Sequence, residues 1–178
     1  MPVERWTSKA QKLANSRLSP HIGEVSFHTG RLSPLGSASF GAPVTRILAA
    51  GQALPSPSGD GYHYIHKRDI AAIQDAMHAA LHPGDATGGD ELLYGRAGLL
   101  HTLLNLRELQ LDDETMQVLR ASVFKKIPLL VDSMISSGKL AAREYLELYG
   151  EQEYMPLMWP WHDKYYIGAW NTQRLTCL

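Results

Sequence analysis

Apolar residues fall into helical spacing from Tyr62 onward and not before it. Ile65, Ile70, Ile73, Met77, Ala80 and Leu81 share one face, and Pro83-Gly84 predicts the end of that helix. A second run opens on Asp90 as the expected N-cap and extends to about Leu109. Within it Leu93, Ala97, Leu100 and Leu104 form a stripe that Leu92, Leu99, Leu103 and Leu106 widen, leaving Asn105, Arg107 and Glu108 to water. A third run, capped by Asp112 or Asp113, keeps Met116, Leu119, Val123, Ile127, Leu130 and Met134 in phase until Gly138 closes it, with a kink expected at Pro128. Lys139 to Tyr149 predicts a further short helix, Gly150 to Trp161 an aromatic loop, and Tyr165 to Trp170 the start of another helix.

The pattern is absent from residues 1–61. Pro20, Pro34, Pro43, Pro55 and Pro57 alternate with Gly23, Gly30, Gly36, Gly41, Gly51, Gly59 and Gly61, so no helix fits well between them. Val44 to Leu54 reads as a short helix or a strand, and Ser56 to Gly61 as a turn-rich linker; about half of the region is expected to be poorly packed. Arg17-Leu18-Ser19-Pro20 returns as Arg31-Leu32-Ser33-Pro34, an echo that suits chance or a loop theme better than a structural repeat. The expected organisation is a low-structure region over 1–61, a helical domain over 62–170 and a divergent tail over 171–178.

Composition narrows the function classes. A chain of 178 residues suits one domain with a real core. With 17 basic and 18 acidic residues, the net charge of −1 offers no electrostatic attraction to nucleic acid or an anionic membrane. The lone Cys177 excludes an intrachain disulfide and fits a reducing compartment. Met1-Pro2-Val3-Glu4-Arg5-Trp6 lacks the order of a secretory signal, and no apolar run is long enough to span a bilayer, so a soluble intracellular protein without a transmembrane segment is expected.

Several residues carry candidate chemistry. Gly95 and Gly98 each disfavour a helix by about 1 kcal/mol relative to Ala, so another backbone or a ligand is expected to approach them closely. His78 and His82 have the i, i+4 spacing of paired metal ligands, but Ala79 stands where a His-Glu-x-x-His protease has its Glu, and solvated histidines are the favoured reading. His63 and His66, and Cys177 as the only thiol, make no better case for a metal. His162-Asp163-Lys164 reads as a solvated turn rather than an acid-base dyad, because consecutive helical residues do not face one another. Trp159, Trp161, Tyr165 and Tyr166 suit an aromatic seam between helices better than a ligand stack.

The stretch Leu92-Leu93-Tyr94-Gly95-Arg96-Ala97-Gly98 and the leucine-rich run after it resemble the first glycine motif of the lanthionine synthetase C-like (LanC-like) family, eukaryotic type. Pro156-Leu157-Met158-Trp159-Pro160-Trp161-His162-Asp163-Lys164-Tyr165-Tyr166-Ile167-Gly168-Ala169 is similar to the family segment that leads through paired aromatics into Gly-Ala-x-His-Gly. The likeness covers about Asp90 to Trp170, with a weaker extension back to Tyr62. It implies an all-α fold: an incomplete α/α toroid of helical hairpins behind a poorly structured N-terminal region, with helices for roughly two hairpins of a ring of seven. A fragment of such a ring leaves one helical face open, and a protein partner is the expected cover.

By this resemblance, full-length relatives are zinc-dependent thiol-addition proteins that form lanthionine-type thioethers in peptides, or bind glutathione. Their zinc ligands, two Cys and one His, lie in later glycine motifs. Here Asn171 stands where the family His falls, and the chain reads Trp170-Asn171-Thr172-Gln173-Arg174-Leu175-Thr176-Cys177-Leu178 instead. The resemblance therefore implies no catalytic residue and no zinc in this chain, whether as an inactive relative, a scaffold, or an incomplete copy of a longer protein. Tyr94, Gly95, Arg96, Gly98, Trp161 and Tyr165 are the binding residues it implies, facing a toroid interior toward glutathione or a thiol peptide. Arg96 offers either a bidentate donor for a carboxylate ligand or a bond to a structural partner, with the structural partner favoured. The implied place is the cytoplasm, with a peripheral position at the plasma membrane as a second option.

Overall fold

The 31–52 segment, where only Val44 to Leu54 is expected to form a short helix or a strand, carries the first helix, α1 (Ala38–Gln52), in the computed structural model, which describes Lys9 and residues 31–52, 65–82, 89–150, 155–161 and 164–167. Ser37 opens α1 by accepting the Phe40 N–H at 3.4 Å, and Thr45 Oγ1 donates to the Gly41 carbonyl at 2.8 Å. Pro43 lies inside the helix, where its fixed φ is tolerated although it lacks an N–H. The apolar face settles the matter: Phe40, Val44, Ile47 and Ala49 are buried, and Phe40 and Ile47 are wholly covered. Tertiary burial overrides the local signals from proline and glycine. Of the two alternatives for Val44 to Leu54 the helix is the one formed, and it starts earlier, at Ala38, running through the Gly41 and Pro43 between which no helix is expected.

Helix α2 (Lys67–Leu81) matches the periodic face predicted for it, with Ala72, Ile73, Ala76, Met77 and Ala80 buried. Helix α3 (Arg96–Arg107) begins later than expected. Asp90 is not its N-cap; Gly95 is, in an extended conformation, and Glu91 to Gly95 form turns. The buried face is Gly98, Leu99, Thr102, Leu103 and Leu106 rather than the stripe through Leu93 and Leu104, which are 44% and 45% exposed. The later start removes Leu93 from the helix and leaves the Leu99-Leu103-Leu106 ridge as the inward one.

Asp112 caps α4 (Asp113–Ser122), accepting the Thr115 N–H at 2.8 Å. The expected single helix then divides: a 3-10 turn (Phe124–Lys126) leads into α5 (Ile127–Tyr149), with Pro128 in its first turn, where a missing N–H is harmless. Gly138 does not close that helix but lies inside it, and Lys139 to Tyr149 continues it. Gly150, at φ 82°, stops the helix in the left-handed half of backbone space.

Beyond α5, the aromatic stretch is not a loop followed by a helix. Trp159–Trp161 (β1) and Lys164–Tyr166 (β2) pair antiparallel, Trp159 opposite Tyr166 and Trp161 opposite Lys164. Aromatic residues are favoured in paired strands, and the register sets Trp159 directly opposite Tyr166.

The described residues are predominantly helical. Helix α1 packs on α2, α2 and α3 pack on α5, and the hairpin lies on α5. One core joins them, through Phe40, Ile47, Ile73, Met77, Leu99, Leu103, Leu119, Val123 and Leu130. The start of α1 lies beside the start of α3, and Gly51 near its end meets the Leu109 side chain just past α3, so these two helices run in the same sense. Among the described residues no helix is long and apolar enough to cross a membrane.

Candidate functional site

Four of the six candidate binding residues, Tyr94, Gly95, Arg96 and Gly98, meet at the start of α3. A tight loop sets their geometry. Glu91 bends it by accepting the backbone N–H groups of Leu93, at 2.9 Å, and Tyr94, and its own carbonyl takes the Gly95 N–H at 3.0 Å. Gly89, at φ 64°, turns the chain so that its carbonyl accepts the Arg96 N–H at 3.0 Å.

This loop brings Asp90 onto Arg96. The guanidinium donates from Nε to Asp90 Oδ1 at 2.6 Å, from Nη2 to Oδ2 at 2.8 Å, and from Nη1 to Ser133 Oγ on α5 at 2.7 Å. The two charged side chains are only 6% and 4% exposed. A two-pronged arginine–carboxylate pair in such surroundings is geometrically specific and electrostatically closed. Arg96 therefore holds the α3 start to α5, and a carboxylate ligand would have to displace Asp90 to use its fork.

Gly98 shows what approaches the glycine notch. A Cβ there would collide with the Leu92 carbonyl and with Oγ and Cβ of Ser33. The visitor is the chain itself: residues 31–37 cross the start of α3 as a strap. The Tyr94 carbonyl accepts the N–H groups of Leu32 at 2.8 Å and Ser33 at 3.1 Å, and Gly36 lets the Leu93 carbonyl and the Tyr94 ring come close. Ser33 is fully buried and accepts the Leu35 N–H at 3.2 Å, while the Arg31 guanidinium lies 5.1 Å from the Tyr94 ring centre.

The other two candidates are elsewhere. Tyr165 on β2 meets the Tyr145 ring edge-on at 5.3 Å, and Tyr145 in turn meets Tyr149 at 4.7 Å. Tyr145 lies twelve residues beyond Ser133 on α5, about 18 Å along the helix, so Tyr165 and the Arg96 clamp do not form one site. Burial, and then the charge of Glu144 and the neighbouring Tyr149, raise the Tyr165 phenol above its ordinary value of 10.0. Trp161 contributes its backbone to β1; its side chain lies outside the described residues. The anchor of the hairpin is instead Trp159, whose Nε1–H donates to the Met134 carbonyl at 3.1 Å and whose indole lies over Gly138.

Sequence reasoning missed a second buried clamp. Arg46 on α1 donates from Nε to Asp69 Oδ2 at 2.9 Å and from Nη2 to Oδ1 at 2.5 Å, and Asp69 is wholly buried. A signal was available: Asp69 shares three- and four-residue spacing with Ile73, Ala76 and Ala80, an acid within an apolar stripe that requires a cation.

His66 precedes α2 as its N-cap residue, and His78 and His82 are exposed at its other end, their rings 4.5 Å apart. Among the described residues no group of three or more His, Cys, Asp or Glu side chains could hold a metal ion. His63, His162, Asp163, Asn171 and Cys177 lie outside the described residues. No family model matches the chain, and no solved structure matches it.

Proposed function

We propose that the chain is a partial LanC-like α/α toroid serving as a non-catalytic helical scaffold. The two motif stretches, Leu92–Gly98 and Pro156–Ala169, in family order, support the kinship. The observation that carries the scaffold reading is the closure of the Arg96 guanidinium onto Asp90 and Ser133. Its hydrogen bonds face protein partners, and Ser33 occupies the Gly98 notch, so the motif residues hold helices together rather than hold glutathione or a thiol peptide. A protein partner is the class of ligand that suits a scaffold.

The test is a thiol-addition assay. The full chain is incubated with glutathione, a dehydroalanine-containing peptide and zinc, and thioether formation is followed by mass spectrometry. The scaffold reading expects the protein-free rate. A rate proportional to protein concentration would overturn it in favour of the family's thiol-addition chemistry.

A further inference from the structure

We propose that His78 and His82 form an exposed two-imidazole site for a first-row divalent transition ion, copper(II) above all. Both residues are exposed and face the same side of the last turn of α2, with ring centres 4.5 Å apart and planes tilted by 33°. Residues four apart on a helix are neighbours, which lets two imidazoles reach one ion.

The orientation of His82 adds an independent reason. The His78 carbonyl accepts the His82 backbone N–H at 3.2 Å and lies 3.0 Å from His82 Nδ1. That contact is a hydrogen bond when Nδ1 carries the proton, which leaves the Nε2 lone pair as the ring's electron-pair donor to a metal. Histidine ligands characteristically donate their second ring N–H to a carbonyl or carboxylate in this way. Position adds to the attraction, because the C-terminal end of a helix bears partial negative charge. Asp75, exposed one turn earlier on the same face, supplies a full one. Two imidazoles with water in the remaining positions suit copper(II), which stands at the top of the divalent affinity series and favours nitrogen ligands. The site is separate from the Arg96 clamp and does not rest on the LanC-like reading.

The experiment titrates the full chain with copper sulfate and reads the nitrogen hyperfine pattern by electron paramagnetic resonance. One equivalent of copper with two imidazole nitrogens is expected. His78→Ala and His82→Ala should each lower its affinity about tenfold or more, since either change removes the intramolecular second ligand. His101→Ala, on α3, should leave it unchanged, and circular dichroism should show all three variants folded. One-nitrogen ligation, or wild-type binding in His78→Ala and His82→Ala, would overturn the assignment and place copper on others of the eight histidines.

Discussion

At Gly98 a single methyl group decides whether the strap can lie on α3. Gly98→Ala gains at most about 1 kcal/mol of helix propensity. It also forces a Cβ into the Leu92 carbonyl and Ser33, and overpacking costs about 1–3 kcal/mol. The expected net result is a lower melting temperature, opposite in sign to what alanine does at an open helical glycine. Arg96→Lys keeps the charge but loses the fork to Asp90 and the bond to Ser133, so chemical denaturation should show a loss of about 1.5–3 kcal/mol. Asp112 supplies a pH prediction. The backbone N–H of Thr115 is the chief cause that holds its carboxyl below the ordinary 3.8. The folded state thus favours the ionised form, so this contribution is present above the unfolded value and lost as pH falls through the folded one. Asp112→Asn, which still caps but cannot titrate, should flatten the acid limb of a stability–pH curve. Asp112→Ala should lower stability by about 1 kcal/mol at neutral pH. The cap and the notch were both legible, because each follows from one residue's own chemistry. The occupant of the notch was not, since Ser33 lies where no periodicity marks a packed segment.

On the scale of elements, α5 and its hairpin depend on one indole. Trp159→Ala removes the ring that fills the space over Gly138 and the bond to the Met134 carbonyl, with an expected loss of about 2–3 kcal/mol and a changed near-ultraviolet circular dichroism. Trp159→Phe should retain part of the packing and lose the bond. Gly138 shows why the helix boundary differs from the one its pattern predicts: a glycine at the end of a periodic run is equally a helix stop and a seat for a large ring, and only the tertiary partner distinguishes them. The three-residue strands were beyond periodic analysis altogether, being too short to establish alternation. The full length of α1 was hidden for the converse reason, the burial of Phe40, Val44, Ile47 and Ala49 outweighing a proline and two glycines.

Across the whole molecule, the predominantly helical class was legible because α2, the later part of α3 and α4 carry their periods openly. The arrangement was not, since buried polar pairs between distant segments set it. Arg46 joins α1 to α2 through an Asp69 that has no contact with water. Arg46→Ala leaves that carboxylate buried without its cation, a change that costs about 3–5 kcal/mol. Urea unfolding should show such a loss, and the double variant Arg46→Met/Asp69→Leu should recover most of it, the signature of a desolvated pair rather than of lost packing. The strap over α3 bears on the order of assembly. Its contacts join residues far apart in sequence, and each needs the Gly89–Gly95 loop already folded, so closing this long loop must come late, after the local helices have formed. The strap thus acts as a latch, governing how fast the native state opens more than how fast it is reached.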